Sequence, residues 1–146
     1  MGETRHAGLI ARRVGGRWLG VLIEGPSGSG KSDLALRALS HGFRLVADDR
    51  VLVWAEGGRL FGRAPDPLRG LIELRGVGVT RAPVIGFAEI GLLARLGSPD
   101  RMPDPATETI VEVEIPLLAA AAFELSTPAK LGRALEAFDA THKRRI

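Results

Sequence analysis

The stretch "GVLIEGPSGSGKSDLAL", residues 20–36, decides the fold. Its central residues, Gly25, Pro26, Ser27, Gly28, Ser29, Gly30, Lys31 and Ser32, match G-x-x-x-x-G-K-[ST]. Glycines at those points let the backbone curl around an anion with its N–H groups turned inward. The helix that follows adds the positive end of its dipole. Lys31 can reach the β- and γ-phosphates of a nucleotide, and the Ser32 hydroxyl can ligate Mg²⁺. Context makes the match specific. An apolar run precedes the loop, and Leu34, Ala35, Ala38 and Leu39 then share one face of a helix that Gly42 should stop. Strand, phosphate loop and helix in succession predict a nucleotide-binding protein.

Working upstream, "GLIARRV" and "RWLGVLIEG" flank Gly15-Gly16, the pattern of a tight hairpin. Downstream, "FRLVA" reads as a short strand ending at Asp48 and Asp49. "RVLVWA" and "RLFGR" around Gly57-Gly58 read as a second hairpin. The prolines of "APDPLRG" (64–70) exclude a central strand. "LIEL" and "LLARL" are strand candidates, and "TIVEVEI" (109–115) alternates as one half-buried strand should. Thr127 and Pro128 form an N-cap and first-turn pair, starting a helix that turns Leu131, Leu135 and Phe138 inward. "THKRRI" (141–146) reads as a basic tail after a single domain of residues 1–140.

The whole chain limits the function classes. Its 146 residues suit one domain, 45% hydrophobic and 25% charged, with a net charge of only +3. There is no basic stripe with interleaved aromatics, so nucleic acid is not an expected partner. Without cysteine there is no thiolate nucleophile and no Cys-based zinc site. No secretory signal is visible, and the longest apolar run, "PLLAAAAF" (116–123), is too short to span a bilayer. A soluble, cytoplasmic protein is expected, with no membrane contact.

Asp48 and Asp49 gain meaning beside the phosphate loop. A kinase acting on a hydroxyl needs one acid near Mg²⁺ and often another to accept the hydroxyl proton. Neighbouring carboxylates at a strand end can serve both needs, because adjacent side chains on an extended chain point to opposite faces. The plainer alternative makes one a turn-forming residue and the other a partner of Arg50. Asp48 follows Lys31 by only 17 residues, so the acidic strand comes directly after the loop's helix.

Together "GVLIEGPSGSGKSDLAL", "HGFRLVADDRVLV" and "LIELRGVGV" resemble the catalytic domain of HPr kinase/phosphorylase, densely from Gly20 to Val79. That family phosphorylates a serine of HPr, the phosphocarrier of the bacterial sugar phosphotransferase system. The resemblance implies an α/β (α+β-like) fold of the phosphoenolpyruvate carboxykinase type. Its P-loop is set in a largely antiparallel or mixed sheet with few helices. It further implies ATP and Mg²⁺ as cofactors, HPr or a nitrogen-related homologue as protein substrate, and a homo-oligomer, a hexamer in the family.

Carried over by residue, the resemblance makes Asp49 the base and Lys31 the phosphate-binding catalytic lysine. Asp48, Ser32 and Glu73 surround the metal, and His6 is the family's histidine before the first strand. Arg75 falls in the segment that the family needs in both reaction directions. A catalytic arginine is expected at Arg101, preceded by Asp100, in preference to Arg95. Longer family members carry an extra N-terminal domain, so the chain resembles the short proteobacterial form. The late segment tied to dephosphorylation is matched only by "TPAKLGRAL", which supports kinase activity more than phosphorylase activity. The competing readings are a small-molecule P-loop kinase and a non-catalytic nucleotide-binding regulatory module.

Overall fold

The computed structural model describes residues 2–138. The tail expected at 141–146 and the domain end expected at 140 lie outside the described residues. In chain order the strands are β1 (Gly2–Arg5), β2 (Gly8–Val14), β3 (Arg17–Glu24), β4 (Arg44–Ala47), β5 (Val51–Glu56) and β6 (Arg59–Arg63). They continue with β7 (Leu71–Leu74), β8 (Gly78–Arg81), β9 (Ala88–Leu96), β10 (Ala106–Ile110) and β11 (Val113–Ala120). Helix α1 (Lys31–Ala38) follows β3, and α2 (Thr127–Ala137) follows β11.

Nine strands form one mixed sheet in the order β1-β5-β6-β9-β3-β2-β4, with β11 also beside β9 and β10 outside it. Among the named strands of the described residues, β3–β9 and β9–β11 pair in parallel and the others antiparallel. β7 and β8 pair separately as a small antiparallel ribbon. This is the mixed, strand-rich architecture with few helices that the resemblance implied.

The middle strands explain the sequence's continuous apolar runs. In β3, Leu19, Val21 and Ile23 face the helices with Leu34, Ala35, Leu131 and Leu135, while Leu22 faces the opposite core. That second core holds Leu9, Val51, Val53, Leu60, Ile90, Leu93 and Ile115. A strand buried on both faces cannot alternate with polar residues. Leu93 in β9 is fully buried. Leu93→Ala is therefore expected to lower unfolding free energy by about 2–5 kcal/mol. A urea titration checks this, and an unmoved midpoint would place Leu93 outside the core.

Two expectations change. "TIVEVEI" is a hairpin, with β10 ending at Ile110 and β11 starting at Val113. Val111 and Glu112 make the turn at φ 48° and 65°, the left-handed pair used by Gly15-Gly16 and Gly57-Gly58. A β-branched residue rarely adopts that conformation, so no glycine or asparagine marked the turn. Helix α2 also starts one residue earlier than expected: Ser126 is the N-cap and Thr127 already helical. The Thr127 hydroxyl donates instead to the Ala121 carbonyl at 2.6 Å. No helix among the described residues is long and apolar enough to cross a membrane.

Candidate active site

The parallel strands β3, β9 and β11 end on one edge, and each releases a loop there: residues 25–30, 97–105 and 121–126. The carboxyl ends of parallel strands are where α/β sheets hold ligands. Ser29 N–H donates to the Pro26 carbonyl at 3.0 Å, which tightens the first of these loops. Gly30 closes it at φ 101° and caps α1 by accepting from Leu34 N–H at 2.9 Å. The φ of 101° disfavours any residue but glycine, and a side chain at Gly30 would also begin 2.7 Å from the Phe123 ring. Lys31 is buried, and its ammonium donates to the carbonyls of Gly25 at 2.6 Å and Pro26 at 3.1 Å. The Ser29 hydroxyl is buried in the loop and has no hydrogen-bond partner among the described residues. An orphaned hydroxyl in a glycine-rich loop at a helix N-terminus is suited to an anion's oxygen.

Strand β4 brings the two aspartates to this loop, and they diverge. Asp48 is 6% exposed. Its Oδ1 accepts the Ser32 hydroxyl at 2.7 Å, and its Oδ2 accepts the Glu73 backbone N–H at 3.0 Å. Asp49 sits at φ 70° while Arg50 N–H bonds the Asp48 carbonyl at 2.8 Å, so the chain makes a γ-turn centred on Asp49. That strained turn swings the second carboxylate away from the first. The Asp49 side chain is 56% exposed, with His6 Nε2 2.9 Å from Oδ1 and Arg50 Nη1 3.4 Å from Oδ2. His6 is delivered by β1, whose pairing with β5 ends at Arg5 opposite Val51. Ala7 N–H then bonds the Asp49 carbonyl at 3.2 Å.

Asp48 is thus a structural joint as well as a candidate ligand. Asp48→Ala is expected to leave the Ser32 hydroxyl and Glu73 N–H unpaired, at about 1–3 kcal/mol for each group that water cannot reach. A lowered denaturation midpoint would show this. An unchanged midpoint would mean that the two donors need no carboxylate.

The structure brings together Lys31, Ser32, Asp48, Asp49, His6 and the backbone of Glu73. It does not bring in every expected residue. The Glu73 side chain is exposed, as is Arg75 beside it on the turn from β7 to β8. Arg101 is exposed in the loop that leaves β9, with no hydrogen bond or ion pair among the described residues. Arg95 is tied to Glu24, the residue before the phosphate loop, at 3.5 Å, and to Glu108 at 3.5 Å.

Two features were not read from the sequence. Arg5 Nε meets Glu24 Oε2 at 2.6 Å, which clamps the His6 segment to the phosphate-loop strand. Burial is the largest single influence on Arg5 and opposes its charge, but the hydrogen bonds and negative charges of Glu24 and Glu3 together outweigh it and raise the guanidinium pKa. The other is Phe123, whose ring leans on Gly30. Neither carries a local signal, since the partners are far apart in the chain.

A family model, the HPr Serine kinase C-terminal domain, matches residues 5–86. An HPr kinase/phosphorylase of Clostridium tetani is 33% identical over 138 residues, covering 90% of this chain and 44% of the relative. One from Enterococcus faecalis is 37% identical over 119 residues, covering 68% of this chain and 38% of the relative. The chain therefore spans about two fifths of the length of these curated relatives. Among solved structures, the Hpr(Ser) kinase/phosphatase from Coxiella burnetii superposes with a TM-score of 0.73 at 27% identity. That match covers 90% of this chain and 96% of the other.

Proposed function

The chain belongs to the HPr kinase C-terminal domain family, and on that premise we propose that it transfers the γ-phosphoryl group of ATP to a serine of HPr or of an HPr-like phosphocarrier. The observation that carries this reading is the divergence of Asp48 and Asp49 at the phosphate loop. One carboxylate is bonded to the loop's Ser32 hydroxyl, and the other opens to solvent beside His6. A protein that only sensed nucleotide would need the first and have no use for the second.

The roles follow from these positions. The N–H groups of Ser27, Gly28 and Gly30, the Ser29 hydroxyl and the Lys31 ammonium hold the phosphate chain. Lys31 leaves its two carbonyls for the more strongly charged partner. Ser32 and Asp48 offer hard oxygen donors 2.7 Å apart, which fits Mg²⁺, an ion that draws its other ligands from phosphate and water. Glu73 adjoins this pair through its backbone, and its carboxylate completes the proposed set. When bound, the metal neutralises charge on the phosphates. Asp49 accepts the proton of the acceptor serine, and His6 orients it from 2.9 Å. Arg101, on a loop leaving the same edge, is proposed to meet the transferring phosphoryl group, with Arg95 retained in its pairing with Glu24. The reverse, dephosphorylating direction belongs to the same proposal, since Asp49 would return the proton. So does assembly into a homo-oligomer.

Supplying the protein with Mg²⁺-ATP and a mixture of HPr and small hydroxyl compounds tests the reading. Label on HPr is expected. Label on a small compound would select the small-molecule kinase, and nucleotide binding without any transfer would select a regulatory module.

A further inference from the structure

The segment between β11 and α2, residues 121–126, places an uncovered aromatic ring against the phosphate loop. Phe123 is 69% exposed, and its ring atoms lie 2.7 and 3.0 Å from where a side chain on Gly30 would begin. Two residues on, Leu125 is 89% exposed. The backbone beneath them is firmly held. Arg37 of α1 donates to the Ala122 carbonyl and, at 3.1 Å, to the Glu124 carbonyl. Arg37 is itself fixed by Asp33 at 2.9 Å. Thr127 bonds the Ala121 carbonyl through its hydroxyl at 2.6 Å and the Glu124 carbonyl through its N–H at 3.2 Å. A ring on a backbone pinned to the helix that follows the phosphate loop is positioned for a flat ligand.

We infer that Phe123 is the platform on which the nucleotide base stacks, with Leu125 extending the apolar surface. This rests on the reading of residues 25–32 as a phosphate-binding loop. Strand order distinguishes the base from the acceptor protein as occupant. Along the edge, the strands run β4, β2, β3, β9, β11, so the phosphate loop after β3 lies between Asp49 after β4 and Phe123 after β11. In-line phosphoryl transfer sets the attacking oxygen and the leaving group on opposite sides of the phosphorus. With the acceptor hydroxyl at Asp49, the remainder of the donor nucleotide leads away towards Phe123. Stacking on a phenyl ring uses the face common to all bases, so it predicts binding strength with little choice among bases.

The test compares Mg²⁺-ATP and Mg²⁺-tripolyphosphate binding to the full chain, by calorimetry, for wild type, Phe123→Ala and Phe123→Trp. Phe123→Ala should bind ATP about tenfold more weakly and tripolyphosphate unchanged, while Phe123→Trp should bind ATP as wild type does. Because the ring is exposed, the melting temperature should not move. Unchanged ATP affinity in Phe123→Ala, or equal losses for both ligands, would overturn the platform. So would a loss seen only in the KM for HPr, which would make the segment an acceptor-docking surface. If wild type bound neither ligand, the phosphate-loop reading itself would fall, a result distinct from those three.

Discussion

Asp49→Asn is expected to slow phosphoserine formation by about 10²–10⁴-fold, the usual contribution of a positioned general base, while ATP affinity stays near wild type. The separation follows from where the carboxylate points. Among the described residues the Asp49 carboxylate bonds neither the phosphate loop nor the Ser32–Asp48 pair; its partners are His6 and Arg50. An amide at this position keeps the size and one acceptor oxygen but cannot take a proton from serine. The γ-turn should survive, because asparagine tolerates positive φ about as well as aspartate. Quench-flow transfer rates beside calorimetric ATP binding check the result. A transfer rate within a few-fold of wild type would remove Asp49 as the base, and a matching loss of ATP affinity would move it to the metal side.

Lys31→Ala is the second large effect. Lys31 is buried and its ammonium is held by two backbone carbonyls, with no carboxylate partner among the described residues. Removing a preorganised cation aimed at a transferring phosphoryl group typically costs about 10²–10³-fold in rate. Here nucleotide affinity should fall as well, because the same charge serves the ground state. The fold should persist, since the loop's bonds from Ser29 and Leu34 remain. Melting curves with and without Mg²⁺-ATP measure both. Nucleotide-induced stabilisation as large as in wild type would contradict the assignment.

Much of this was legible where the chain's signals are local. The glycine pairs at 15–16 and 57–58 turn where a two-residue hairpin needs positive φ, and β2 begins and ends as its sequence implies. The glycine-rich run likewise marked the loop that residues 25–30 form between β3 and α1. Other parts were silent for physical reasons. β1 is a polar edge strand, "GETR", with no apolar alternation, although its pairing with β5 is what carries His6 to Asp49. The Val111–Glu112 turn uses residues that resist it, and its two-residue length preserves the alternation on either side. Adjacent aspartates could be read as diverging, but the γ-turn that separates them depends on a hydrogen bond from Arg50. Arg5–Glu24 and Phe123–Gly30 are contacts between remote segments, which no window of sequence displays.

In the proposed reaction the transferred group ends on a serine oxygen of a protein. The most direct measurement is to incubate the protein with γ-labelled ATP, Mg²⁺ and HPr, treat the product with acid, and map the label by peptide mass spectrometry. Acid-stable label on one HPr serine is expected, formed by wild type and lost in Lys31→Ala and Asp49→Asn. Acid-labile label on histidine or aspartate, or label that never reaches HPr, would contradict the proposal.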